Sequence, residues 1–251
     1  MYPVILQIGA IKIYSYGLMM AMAFLAADFL LRRELKRAGL AADMGDLIVI
    51  GAVVGGIIGA KLYSITENLN DPDALSLRSI FSGSGLVWYG GFVGGTIAVL
   101  AIIRLKRAPL LKVLDLLAPI LILGYAFGRM GCFLSGDGCY GPPTDLPWGM
   151  SFPNGTVPTL ERVHPAPLYE ITMSLVVFAF LWKIRRRITP VGWNFGLYLT
   201  LAGIERFIAE FWRRTPVVAL GLTMAQFLGI VSIAAGTVMM LYLRKEQSPV
   251  T

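Results

Sequence analysis

The stretch 113-VLDLLAPILILGYAFGRMGCFLSGDGCYG-141 frames the problem that the whole chain has to solve. From Val113 to Phe127 only Asp115 is charged, and the run approaches the roughly 20 apolar residues that cross a hydrocarbon core. It then meets Arg129 directly, followed by glycines, two cysteines and Asp137. A charge inside a span costs about 2.5–3.5 kcal/mol on insertion scales, so such a residue needs partners or a wet cavity.

Working outward, the remaining sequence repeats the apolar half of this pattern. The chain has 251 residues, 56% of them hydrophobic and only 15% charged, with a mean hydropathy of +0.69. Soluble domains carry about 25% charged residues. Apolar runs fall at 14–31, 46–64, 86–103, 113–131, 166–183, 191–211 and 220–243. The expected fold is therefore an all-α polytopic membrane protein with seven transmembrane helices, forming a single integral membrane domain over 1–251.

The net charge of +7 could suggest nucleic acid, but its placement points elsewhere. Arg32, Arg33, Lys36 and Arg37 follow the first run; Arg104, Lys106, Arg107 and Lys112 follow the third. Lys183, Arg185, Arg186 and Arg187 follow the fifth, and Arg244 and Lys245 the seventh. Basic loops in every second position are cytoplasmic by the positive-inside rule. The N-terminus is then outside, the C-terminus cytoplasmic, and the loops at about 65–85 and 132–165 face out. Glu67, Asp71 and Asp73 against Arg78 suit such an outer loop. No cleavable leader is expected, because the first apolar run ends in a basic cluster.

Glycine spacing adds a packing signal. Gly51, Gly55 and Gly59 are four apart, as are Gly90 and Gly94, and Gly91 and Gly95. Such faces either let helices approach closely in lipid or line a lipid cavity with backbone.

The polar residues near the outer ends carry the chemistry. In 203-GIERFIAEFWRR-214, Arg206 and Glu210 share a helical face, with Glu205 about 100° away. They form either a structural ion pair at the membrane boundary or an anion-binding arginine held by its carboxylate. Arg213 and Arg214, further out, are expected as interfacial anchors. Arg129 lies at a similar depth to Arg206, and two arginines at one depth suit either a phosphate or separate headgroup snorkelling. Gly128 and Gly131 would leave room for a bulky ligand. Tyr14 and Tyr16 fit an interfacial belt. The single histidine, His164, stands in 164-HPAPLYE-170 beside prolines that suit a helix start. Cys132 and Cys139 can pair as a disulfide or remain free thiols. A lone C-x₆-C is a weak metal signal, and no metal or cofactor is expected.

Taken in order, 16-YGL-18, 89-YGG-91, 128-GRMGCFLSGD-137 with Gly141, 164-HPAPLYE-170, 206-RFIAEFWR-213 and 224-MAQ-226 resemble the bacterial prolipoprotein diacylglyceryl transferase family. The resemblance runs from Tyr16 to about Gln226. It implies transfer of the diacylglyceryl group of phosphatidylglycerol to the lipobox cysteine thiol of a preprolipoprotein signal peptide, releasing glycerol 1-phosphate. The nucleophile then belongs to the substrate. The enzyme must clamp a phosphate and help deprotonate a thiol of pKa about 8.5. The resemblance places the signature arginine on Arg129, a second essential arginine on Arg206 with Glu210 beside it, the signature acid on Asp137, and a functional tyrosine on Tyr16. Glu210 and Asp137 are expected to orient the two arginines. Tyr89 is a candidate catalytic hydrogen-bonding group, His164 the histidine that could act as base, and Cys132, Gly141, Tyr169 and Glu170 candidate substrate-binding residues. The implied partners are phosphatidylglycerol, preprolipoprotein signal peptides and membrane lipids, with no nucleic acid. The implied location is the bacterial cytoplasmic (inner) membrane, with the active site towards the outer leaflet.

Three positions depart from the family pattern. Tyr89 stands where histidine is usual, Cys132 where asparagine is usual, and Ala202 where tyrosine is usual. With a pKa near 10, tyrosine is a poor base at neutral pH. Cys132 could instead carry a lipid transiently. The competing readings are a paralogue that binds phosphatidylglycerol without transferring it, and a non-catalytic lipid transporter.

Overall fold

The computed structural model describes residues 1–9, 11–68, 88–187 and 190–246. The outer loop expected at 65–85, with Asp71, Asp73 and Arg78, lies outside the described residues beyond Asn68. The described chain is mostly helical. Seven helices run as α1 (Ser15–Arg37), α2 (Asp43–Glu67), α3 (Trp88–Leu105), α4 (Leu110–Ser135), α5 (Ala166–Ile184), α6 (Trp193–Ala209) and α7 (Met224–Glu246). Helices α1, α2, α4, α5 and α7 are long and apolar enough to cross a membrane. Helix α3 is a shorter apolar helix, and α6 tightens into a 3₁₀ turn at Glu210–Trp212. Side chains such as Leu25, Phe29, Phe92, Val176 and Val231 stand exposed on these helices. Apolar surface on that scale suits a hydrocarbon surrounding.

The all-α expectation missed three antiparallel hairpins at the helix ends: β1 (Val4–Ile8) with β2 (Ile11–Tyr14), β3 (Met150–Phe152) with β4 (Thr159–Val163), and β5 (Val217–Ala219) with β6 (Leu222–Thr223). The last shows the cause. Leu220 and Gly221 both take positive φ, at 52° and 74°, the geometry of a two-residue hairpin turn. That turn delays the helix expected from residue 220 until Met224. A capping box then starts α7: Gln226 Oε1 accepts the Thr223 amide at 3.0 Å, and Thr223 Oγ1 accepts the Gln226 amide at 3.3 Å.

The chain divides into two compact units, one of Met1–Ala27 with Leu114–Thr251 and one of Asp28–Val113. Within the second, α2 and α3 pack through their glycines. A Cβ on Gly94 would lie 2.3 Å from the Gly55 carbonyl oxygen, and one on Gly59 2.3 Å from that of Gly90. The glycine rhythm is thus a helix-packing surface. Arg32 pairs with Asp46 at 3.1 Å and Lys112 donates to the Ala38 carbonyl at 2.9 Å.

Within the first unit, α6 and α7 use the same device. A Cβ on Gly203 would meet the Gly229 carbonyl at 2.6 Å, and one on Gly236 that of Gly196 at 2.3 Å. Helix α4 anchors the start of α6, because the Asp115 carboxylate accepts the amides of Gly192 and Phe195 at 2.6 and 2.8 Å. These are helix N-terminal donors with no intrahelical partner. Ala202 packs against the apolar cluster of Ile122, Leu181 and Ile184.

Replacing Gly94 with alanine should lower stability by about 1–3 kcal/mol, the usual range for overpacking. Gly124, with open space around it, should tolerate alanine. Thermal unfolding of both variants in detergent checks the contrast.

Candidate active site

Glu170 sits in the first turns of α5 and is completely buried. The Pro165 and Pro167 pair explains its position: proline is tolerated where a helix begins because its missing N–H has no partner there. Three groups converge on this carboxylate. The Arg129 Nε of α4 pairs with Oε2. The Tyr125 hydroxyl, one turn earlier on α4, donates to the same oxygen at 2.5 Å. From the segment after α6, Arg213 Nη1 donates to Oε1 at 3.0 Å. Arg129 also stacks on Tyr125, 4.9 Å from the ring centroid.

A second carboxylate extends the arrangement. Glu210 Oε2 lies 2.7 Å from Arg206 Nη2 and 3.8 Å from Arg213 Nε. The result is a ladder Arg129–Glu170–Arg213–Glu210–Arg206 joining α4, α5, the end of α6 and the 3₁₀ turn. Three guanidiniums against two carboxylates leave one positive charge. The ladder is also incompletely bonded. Arg206 Nη1 and Glu210 Oε1 are buried with no hydrogen-bond partner among the described residues. Behind it, Ser174 Oγ donates to Glu205 Oε1 at 2.6 Å, both residues buried.

Arg213 corrects an expectation. It is no interfacial anchor, since it bridges both carboxylates and its side chain is only 16% exposed. The signal was present in the spacing: Arg206, Glu210 and Arg213 stand four and three apart, on one helical face. Tyr125 was missed likewise, although it lies four residues before Arg129. Arg214 is 44% exposed and lies 3.7 Å from Glu161.

The segment after α4 folds back on the ladder. Gly136 and Gly138 take φ of 59° and 87° on either side of Asp137, a backbone that side chains resist. The reversal brings Cys139 to Cys132, both free thiols. Their sulfurs and an Asp137 oxygen lie within 4.8 Å of one another. Such a set could hold a soft cation, but guanidiniums already flank it. Arg129 Nη1 lies 3.9 Å from Cys132 Sγ and 3.8 Å from Cys139 Sγ, while Arg213 Nη2 lies 3.8 Å from Cys139 Sγ. Asp137 does not take the role expected of it. Its Oδ1 accepts the Cys139 amide at 3.2 Å, and the carboxylate on Arg129 is Glu170.

The structure places the other expected residues as follows. Tyr16 rests on Gly131, where a Cβ would come 2.9 Å from the tyrosine ring. The room at Gly131 is therefore filled by protein. Gly141 is a point of close approach: a Cβ there would lie 2.2 Å from the Trp212 carbonyl oxygen. His164 belongs to an aromatic group, its Nδ1 3.2 Å from the Tyr169 hydroxyl, which accepts Trp148 Nε1 at 2.8 Å. With Trp212, Leu146, Thr172 and Met173 these line a cavity of about 380 Å³. Tyr89 lies in the other unit, half exposed at the start of α3.

Removing one partner of a buried ion pair costs about 3–5 kcal/mol, because the other charge is left uncompensated. Glu170→Ala should accordingly lower the unfolding temperature in detergent by roughly 10 °C. Exposed Glu161→Ala should leave it within about 1 °C.

A family model for prolipoprotein diacylglyceryl transferase matches residues 3–242. A Clostridium tetani protein is 36% identical over 239 residues, covering 94% of this chain and 95% of the relative. One from Geobacter sulfurreducens is 36% identical over 234 residues, covering 90% and 86%. One from Nitrosospira multiformis is 33% identical over 263 residues, covering 99% and 89%. All three carry the name phosphatidylglycerol--prolipoprotein diacylglyceryl transferase. The matched range takes in the hairpin before α1, all seven helices to Tyr242 and the whole charged ladder, and the chain belongs to the prolipoprotein diacylglyceryl transferase family.

Proposed function

We propose that this protein transfers the diacylglyceryl group of phosphatidylglycerol to the lipobox cysteine thiol of preprolipoproteins, forming a thioether and releasing glycerol 1-phosphate. Family membership and the shared name of its relatives support the reaction. The observation that carries it in this chain is the ladder: partly exposed arginines on two buried carboxylates, net positive, with Arg206 Nη1 unpartnered among the described residues. A phosphodiester supplies both the negative charge and the acceptor oxygens that this arrangement lacks.

In this reading Arg129 and Arg206 grip the phosphate, and Glu170 and Glu210 hold them at fixed angles through Arg213. The guanidinium fork suits phosphate oxygens bidentately. As the thiol sulfur forms its bond to the glycerol carbon, the carbon–oxygen bond breaks and negative charge gathers on the departing phosphate. Fixed cations in a water-poor site stabilise that charge without reorganising. Gly141 lets the outer segment lie directly on Trp212, and the aromatic cavity around Tyr169 offers an apolar surface beside the clamp.

The same reading places seven spans in the inner membrane, N-terminus outside and C-terminus cytoplasmic. The alternating basic loops support that orientation, and the apolar surfaces of α1, α2, α4, α5 and α7 support the multi-pass arrangement. The ladder then lies towards the outer leaflet, where an exported lipobox can meet it.

The test combines purified protein, phosphatidylglycerol in detergent and a synthetic lipobox peptide, with thioether mass and glycerol phosphate followed together. Arg129→Ala and Arg206→Ala should each slow transfer about 100-fold or more. Arg129→Lys and Arg206→Lys, which keep the charge and lose the fork, should recover only part. Full activity in both alanine variants would remove the clamp, and lipid binding without either product would favour a paralogue that binds but does not transfer.

A further inference from the structure

The transfer needs a group to take the proton of the incoming thiol, and within this unit the two nearby candidates are engaged in other contacts. His164 faces Tyr169 in the aromatic cavity. Asp137 is bonded to the loop backbone. Glu170 is paired on both oxygens and Glu210 is fully buried in its pair with Arg206. Among the described residues Cys139 is a titratable group, only partly buried, whose sulfur contacts two of the ladder's cations.

We propose that Cys139 is held as a thiolate between Arg129 and Arg213 and serves as the proton acceptor for the lipobox thiol. The argument rests on position. The αL glycines Gly136 and Gly138 deliver Cys139 to the ladder, where its sulfur lies 3.8 Å from Arg129 Nη1 and from Arg213 Nη2. Of the two cysteines it is the more exposed, Cys132 being buried. A sulfur in contact with two guanidiniums favours its charged form. The hydrogen bond from the Cys132 thiol draws the Cys139 thiol below its ordinary range, against burial and the Asp137 charge, with Arg213 adding to the lowering. Arg129 and Cys132 face it from α4, Asp137 from its own loop, Arg213 from beyond the 3₁₀ turn, and Tyr16 from α1.

The step balances without any further reactant. The Cys139 thiolate takes the proton of the lipobox thiol. The resulting lipobox thiolate displaces the phosphate oxygen at the glycerol carbon, so one C–S bond forms and one C–O bond breaks. The electron pair leaves on glycerol phosphate, which takes the proton back from Cys139 and restores the thiolate. The thiolate balances the ladder's surplus charge at rest, and its protonation by the lipobox thiol returns the ladder to net positive as charge gathers on the departing phosphate. The inference rests on the transfer reaction proposed above.

Two measurements test it. Iodoacetamide alkylation of Cys139, followed by peptide mass across pH, should reach half-maximal rate below the pH of about 8.5 of an ordinary thiol; a midpoint at or above that value overturns the thiolate. Transfer is then compared for wild type and Cys139→Ser with two lipobox peptides, one with cysteine and one with selenocysteine, whose selenol is already ionised at neutral pH. Cys139→Ser should slow the cysteine peptide about 100-fold or more and leave the selenocysteine peptide near its wild-type rate. Equal slowing of both peptides would make Cys139 a merely structural residue, and an unimpaired variant would remove it altogether. A wild-type protein forming no thioether would bring down the transfer reaction and this assignment together, whereas an active Cys139→Ser variant overturns only the assignment.

Discussion

The carboxylate of Glu170 is the constraint on which the first unit is organised. Three donors from α4 and from the end of α6 meet on two oxygens that no solvent reaches. In a low-dielectric interior an arginine cannot be left without its counter-charge. Arg129 and Arg213 therefore have to be built around Glu170, and α4, α5 and α6 must meet at one depth to do so. Glu210 repeats the logic for Arg206, and the two carboxylates share Arg213 as their link. The shared arginine turns two separate ion pairs into one object.

Everything nearby follows from holding that object in place. Asp115 ties the far end of α4 to the start of α6, so the two helices that carry Arg129 and Arg206 are joined twice along their length. The glycine contacts of α6 with α7 bring backbones close enough that small rotations would produce clashes. Prolines start α5 one turn ahead of Glu170, and the capping box starts α7 at a defined residue. Their shared effect is to leave the charged side chains few alternative geometries, which is what preorganised electrostatic catalysis requires.

Rigid packing and a reactive site use glycine for opposite purposes here. In the helices its missing side chain admits a neighbouring backbone, as between Gly94 and Gly55 or Gly236 and Gly196. In the segment after α4 its positive φ, at two positions within three residues, lets the chain fold back. That reversal sets a flexible-looking SGDG run against the ladder and brings two thiols, otherwise unremarkable in spacing, onto the same pair of arginines.

The sequence by itself determined a mostly helical chain with apolar spans and the ends at which charge gathers, because hydrophobic length and basic loops are local properties that need no partner to be read. The ordered motifs likewise carried the family, and Arg206 with Glu210 was legible from a spacing of four. What only the tertiary structure decided was who pairs with whom. Arg129 chose Glu170 on another helix over nearby Asp137, and Arg213 turned inward to bridge two carboxylates. Tyr125 became part of the same cluster, and His164 was drawn into an aromatic group. Each of these depends on how helices separated by tens of residues align in depth and rotation. Such alignment is set by packing and by the cost of an unpaired buried charge, neither of which appears in the order of the residues.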